Sequence, residues 1–407
     1  MGPVIPDSSP PLSVADALAT IRASLSVAVG RETVALWEAD GRIVAEPVLA
    51  PMALPPFDNA AVDGYALRFD DLAPSGPTAL PVAARIPAGS ASAPLPPGTA
   101  ARIFTGAPLP PGADTVAMQE ETRIEGGTVV LPAGLARHAN RRRAGEDVAP
   151  GALALSEGHR LGPRSLALAA ALGLQSLTVR PRLRIALFST GDEVCAEGGR
   201  LGPARIHDAN RPMLAALLAR TGARVSDGGI LPDSRGALRD RLLGAAADHD
   251  LIVTSGGVSV GEEDHVRAVI GDIGALTLWR LAIKPGRPLA FGRIGRVPFV
   301  GLPGNPAAAY ATALAILGPV VLHLTGAEPA PPLPLVRSGF AFAKKGGRRE
   351  FLKVSLRVAA DGVTEAVMAP GGALSALAAS DGLVELPEDA EAIRPGDLLA
   401  YRPHAPV

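Results

Sequence analysis

Residues 183–193 read LRIALFSTGDE, a run apolar but for Arg184 that stops at a hydroxyl pair, a glycine and two acids. An amphipathic strand alternates apolar and polar residues, whereas a strand buried on both faces is apolar throughout. Residues 183–189 therefore predict a strand inside a parallel sheet, with the TGDE turn at its carboxyl end.

The pattern repeats outward from this stretch. A helix is predicted over 211–220, with Pro212 in its first turn and Gly222 just past its end, the usual start and stop signals. A strand near 224–231, a helix over 234–247, a strand over 251–254 and a helix over 263–270 follow. One strand ends near Lys284, others span 288–292 and 297–302, and a last helix starts at Pro306. Strands alternating with helices predict a doubly wound, mostly parallel α/β domain over 181–326. On either side the composition changes. Residues 1–180 are rich in proline and glycine, with helical patches at 14–25 and 164–174 and short extended runs at 80–86, 101–105 and 128–131. This predicts a β-rich module (55–140) inserted into a partly helical one (1–54 with 141–180). After the linker EPAPPLPL, residues 327–407 carry short strands, clearest at 351–358 and 382–386, and predict a small β barrel.

Composition excludes several classes. The chain has 407 residues, Lys+Arg 39 against Asp+Glu 40, and a net charge of −1, so it lacks the broad positive field of sequence-independent nucleic-acid binding. Its single cysteine, Cys195, rules out a disulfide framework or a Cys-rich metal site within one chain and fits a reducing cytoplasm. The N-terminus has no signal-like apolar segment, and residues 307–324, apolar but containing Thr312, Pro319 and His323, read as a buried helix rather than a membrane span.

Ligands of open α/β sheets bind outside the carboxyl ends of the strands. The unusual residues of this chain fall at those positions: Ser189-Thr190-Gly191-Asp192-Glu193, SGGVSVGEED from Ser255 to Asp264, Lys284-Pro285-Gly286-Arg287-Pro288, and Leu302-Pro303-Gly304-Asn305-Pro306. Glycines allow close approach of backbone to ligand, and the following helix starts offer unpaired N–H groups suited to phosphate. Asp192, Glu193, Asp233, Glu262, Glu263 and Asp264 supply hard oxygen ligands for Mg²⁺, with Arg280, Lys284 and Arg287 nearby as cations for an anion. Taken singly, each turn is only a turn, and Asp233 stands where a helix cap belongs. Their convergence on one sheet edge predicts a Mg²⁺-assisted site for a phosphorylated ligand. The residues alone do not name it.

Eight strings, DNAAVDGYA, IFTGAPLPPGADTVAMQEET, RRRAGEDVAPG, STGDE, SGGVSVGEED, LAIKPGRP, GLPGNP and GRREFLKV, occur in this order between residues 13 and about 386. Read together they resemble the molybdopterin molybdenumtransferases, the family shared by bacterial molybdenum-insertion enzymes and the E domain of gephyrin. The resemblance implies insertion of molybdate into adenylated molybdopterin, with Mg²⁺-dependent hydrolysis of the adenylate and release of AMP. It also implies an elongated helical N-terminal domain beside the inserted β domain, the α/β domain and the C-terminal barrel, a homodimer whose cleft is shared between subunits, and contact with the molybdopterin adenylyltransferase that makes the substrate. Carried over position by position, Asp264, Asp63, Glu193 and Asp233 are the catalytic set, with Glu193, Asp233 and Asp264 as metal ligands. Thr105, Arg142 and Asp147 would join them from the N-terminal half, and Thr190, Gly191, Ser255, Gly256, Gly257, Ser259 and Gly261 from the first and third loops. Arg280, Lys284, Arg287, Pro303, Gly304, Asn305 and Pro306 complete the substrate pocket. The family usually has Lys at Arg280 and often at Arg287; charge is kept, but the planar fork hydrogen-bonds differently. The turn Gly371-Gly372-Ala373-Leu374-Ser375 also departs from the family's pattern. Two alternatives stand beside this reading: a non-catalytic, gephyrin-like scaffold, and the adenylyltransferase itself, which resembles the α/β domain alone.

Overall fold

The structure is a computed structural model and describes residues 10–91, 93–231, 234–257 and 265–404. Its central sheet has the strand order 224–231, 184–190, 251–255, 297–302, 288–294, 274–280. The first four strands run parallel. The next, Pro288–Ile294, turns back antiparallel, because it is joined to Val297–Leu302 by Gly295 and Arg296 alone, and the edge strand Gly274–Arg280 pairs antiparallel with it, restoring the direction of the first four. A parallel return needs a crossover of roughly a dozen residues. Within the strand Arg184–Thr190, Ile185 and Leu187 pack on one side with Leu214 and Leu218, while Ala186 and Phe188 pack on the other with Leu238, Leu242 and Val269. The period of two thus feeds two cores, and the continuous apolar run has its physical cause. Truncating fully buried Leu187 to alanine should cost about 2–5 kcal/mol.

The helical run Pro306–Leu324 is long and apolar enough to cross a membrane by composition, yet 67% of its apolar window is buried inside the protein. It carries a π-helical stretch, Ala313–Leu317, just ahead of Pro319. Proline has no N–H to return to the preceding turn, which relaxes the ladder there. The helix Val14–Ser24, capped by Ser13 Oγ accepting from the Asp16 N–H at 3.1 Å, lays Val14, Ala17 and Ile21 into the same core.

The expectation of a helical N-terminal domain is corrected by the structure. Apart from Val14–Ser24 and Pro163–Ala171, the N-terminal segments pair as two-stranded ribbons: Glu32–Ala35 with Ser176–Val179, Val48–Leu49 with Leu153–Leu155, and Asn59–Ala60 with Arg141–Arg142. Helices under about 12–15 residues are marginal without an amphipathic face to pack, and the frequent prolines and glycines leave no longer run.

Between these ribbons lies a six-stranded mixed sheet in the order 115–118, 64–67, 100–103, 78–86, 128–131, 123–125. The C-terminal strands close a five-stranded barrel, Arg349–Val358, Thr364–Met368, Leu335–Ser338, Leu398–Pro403 and Gly382–Leu386 returning to the first. Closure leaves these five strands without a free edge.

Candidate active site

The carboxyl ends of Arg184–Thr190, Leu251–Ser255 and Val297–Leu302 open into a cavity of about 580 Å³. Thr190, Gly191, Glu193, Ser255, Gly256, Gly257, Arg287, Pro303, Gly304, Asn305 and Pro306 all line it, so four loops distant in sequence share one wall. Gly191 has φ +127°, and a Cβ there would stand 2.5 Å from Glu193 Oε2. Only glycine lets that carboxylate fold back along the turn. At Gly256, φ is +89° and a Cβ would lie 2.6 Å from the Thr190 carbonyl oxygen, so the first and third strand ends touch through backbone. Asn305 caps the next helix, its Oδ1 accepting from the Ala308 N–H at 3.2 Å with Pro306 in the first turn.

Two residues that the sequence reading did not single out hold these loops together. Asn210 is buried, and its Nδ2 donates to Ser255 Oγ and to the Gly304 carbonyl oxygen, both at 2.7 Å. Buried Asp208 accepts at Oδ1 from the N–H groups of Asn210 and Arg211, both at 3.1 Å, and so caps the helix Asn210–Arg220. The available signal was local: an acid placed three residues before Arg211, where a cap belongs.

The charges are arranged unevenly. Among the described residues, neither the Glu193 carboxylate nor the Arg287 guanidinium has a side-chain partner, and both face the cavity. An unpaired carboxylate is a hard oxygen donor suited to Mg²⁺, and an unpaired guanidinium suits a phosphate. Asp233, Ser259, Gly261 and Asp264 fall outside the described residues. Arg280 ends the strand Gly274–Arg280 and does not line the cavity. Lys284 lines a smaller neighbouring cavity of about 300 Å³, which shares Asn305 with the first.

The N-terminal candidates assemble elsewhere. Asp63 Oδ1 accepts from the Thr105 N–H at 2.8 Å and from its hydroxyl at 2.7 Å. These two bonds, backbone first, hold the Asp63 carboxyl below its ordinary range, with Arg102 adding a smaller pull. Arg142 pairs through its backbone with Asn59, and the Asp147 N–H donates to the Leu54 carbonyl. No described residue between 55 and 147 lines the cavity of its own chain.

Comparison with known proteins names the relatives of this architecture. Residues 12–173 match the MoeA N-terminal region (domain I and II), 186–323 a "probable molybdopterin binding domain", and 336–403 the MoeA C-terminal region (domain IV). A molybdopterin molybdenumtransferase 2 of Mycobacterium tuberculosis is 37% identical over 381 residues, 90% of this chain and 93% of the relative. The chain belongs to the molybdopterin molybdenumtransferase family. A molybdenumtransferase of Haemophilus influenzae is 41% identical over 293 residues, 72% of each chain. A crystal structure of a molybdopterin biosynthesis moeA protein from Pyrococcus horikoshii OT3 superposes with a TM-score of 0.80 at 28% identity, covering 95% of this chain and 98% of its own. Likeness to the molybdenumtransferases along nearly the whole chain, ribbons and barrel included, sets it apart from an α/β domain standing alone.

Proposed function

We propose that this protein is the molybdenum-inserting enzyme of molybdenum cofactor biosynthesis, taking molybdate and adenylated molybdopterin as substrates and releasing AMP. The observation that carries the reading is the cavity at the sheet's carboxyl edge, where backbone-exposing glycine loops meet Glu193 and Arg287, neither with a side-chain partner among the described residues. Concave sites with a few convergent polar groups are where small ligands bind, and this one suits a ligand carrying phosphate.

In this reading Thr190, Gly191, Ser255, Gly256, Gly257, Ser259 and Gly261 cradle the phosphates through backbone N–H and hydroxyl donors. Arg287, with Arg280 and Lys284 behind it, offsets their charge. Pro303, Gly304, Asn305 and Pro306 shape the pterin side, and Asn210 keeps that loop at a set distance from Ser255. Glu193, Asp233 and Asp264 would hold Mg²⁺, which when bound neutralises phosphate charge. Asp264 positions the water whose oxygen bonds to phosphorus as the anhydride P–O bond breaks and AMP leaves. Asp63, held ionised by Thr105, reaches the cleft together with Thr105, Arg142 and Asp147 from the second subunit of a homodimer. The four domains follow the boundaries 1–54 with 141–180, 55–140, 181–326 and 327–407. The compartment is the cytoplasm, where Cys195 stays a free thiol, and the adenylyltransferase hands over the substrate.

The decisive assay incubates the protein with adenylated molybdopterin, molybdate and Mg²⁺ and follows AMP and metal-loaded pterin. Stoichiometric appearance of both is expected. Consumption of ATP with molybdopterin instead would make it an adenylyltransferase. Tight pterin binding with no AMP would make it a scaffold.

A further inference from the structure

Lys284 is placed by the barrel. It ends the strand Ile283–Lys284, which pairs in parallel with Arg349–Val358 so that Lys284 stands opposite Glu350. The Arg349 N–H donates to the Ala282 carbonyl at 2.7 Å, locking that register. Lys284 Nζ lies 3.3 Å from Glu350 Oε2, and Arg348 donates to Glu350 Oε1 at 2.8 Å. The Glu350 side chain is 1% exposed and the Lys284 side chain 54%. A carboxylate buried this deeply persists only where cations meet its charge, and the two here do so. It lines the smaller cavity, whose wall at Asn305 is shared with the main cleft.

We propose that Glu350 is a positioning residue for the transferase reaction: from the barrel it holds the Lys284 ammonium at the edge of the cleft, where it meets the anionic substrate. A lysine is a point charge on a flexible four-carbon stem. Anchored to a fixed, buried carboxylate, it keeps one orientation before substrate arrives and less freedom is lost on binding. The barrel then has a part in the chemistry of a cleft that it does not line. The inference rests on the reading of Lys284 as a substrate cation.

Steady-state insertion kinetics on the full-length protein test it, with adenylated molybdopterin varied and thermal midpoints recorded alongside. Glu350→Gln keeps the shape and leaves a carbonyl oxygen for Arg348. It is expected to raise KM about tenfold with kcat within about twofold. Lys284→Met should raise KM at least as much, and the double variant should be no worse than Lys284→Met alone, since the two residues act as one unit. A Glu350→Gln KM within about twofold of wild type, or a double variant whose defect is the product of the two single ones, overturns the positioning role. A Lys284→Met protein with unchanged KM overturns instead the reading of Lys284 on which it rests. If Glu350→Gln does not fold, Glu350→Asp carries the same comparison: the shortened carboxylate should raise KM by a smaller factor, and an unchanged KM counts against the proposal.

Discussion

The cleft at the carboxyl edge of the central sheet and the Asp63–Thr105 corner of the inserted sheet are both organised polar sites, but the corner takes no part in lining the cavity of about 580 Å³ at the cleft. At the cleft, loops from four places in the chain converge, and Glu193 and Arg287 point into the space between them. At the corner, Asp63 takes two hydrogen bonds from Thr105 and is held ionised, yet it lines no wall of the cleft in its own chain. A carboxylate so firmly set on the surface is preorganised for something that approaches from outside. The proposed second subunit would fill that role if a two-fold dimer set the corner of each chain against the cleft of the other.

The comparison breaks first at Asp264. Asp264→Ala should lower the rate of metal insertion by on the order of 10²–10⁴ while pterin binding survives, because the loop's backbone donors remain. A variant that inserts molybdenum within a few-fold of wild type removes the catalytic assignment. Next comes complementation. Mixing Asp63→Ala with Asp264→Ala subunits places both defects in one of the two sites of a mixed dimer and leaves the other intact. Activity should recover to about a quarter of wild type for random pairing, and mixed dimers that form but stay inactive would end the shared-cleft proposal.

A smaller effect tests the corner itself. Thr105→Val removes the hydroxyl donor, so the Asp63 carboxyl should titrate closer to its ordinary value, as read by carbon-detected NMR. With the folded value depressed, the stabilisation from this pair is present above the unfolded value, near 3.8, and is lost as pH falls through the folded one. The variant should therefore lose less stability than wild type on acidification; equal acid sensitivity would mean that the hydroxyl is not what holds the charge. The least effect is expected at Cys195. Its Sγ lies 3.4 Å from the Ile206 carbonyl oxygen and does not line the cavity, so Cys195→Ala should leave insertion intact and change stability by about 1 kcal/mol. A folded variant that binds pterin but inserts no metal would make this thiol a transient molybdenum ligand.

Much of the cleft was legible because its signals are local. A continuous apolar run marks each buried parallel strand, and a glycine with polar residues marks each carboxyl end, so the sequence alone puts Thr190, Gly191, Glu193, Ser255, Gly256 and the Pro303–Pro306 turn at one sheet edge. Asn210, Asp208 and Glu350 were not legible as site residues. Their importance lies in whom they touch: Asn210 bonds to groups 45 and 94 residues away, and Glu350 meets Lys284 from a paired strand that lies far along the chain. The N-terminal ribbons escaped for the same reason, since Glu32–Ala35 finds its partner at Ser176–Val179, beyond the entire inserted sheet.

By itself, the order of residues determined the α/β alternation, the loops that carry the polar groups and the eight strings shared with the molybdenumtransferases. Each is a property of short stretches, governed by backbone sterics and by side-chain periods of 2 and 3.6 residues. Tertiary structure alone decided which short strands pair across long gaps, which carboxylates are occupied as caps or salt bridges, and which stay free at the cavity. Glu193 and Glu350 are both glutamates just beyond or within a strand. One faces the cleft with no side-chain partner among the described residues; the other is buried between Lys284 and Arg348. Burial and charge partners, which come from the packing of distant segments, separate a group available to a ligand from one that holds another residue in place.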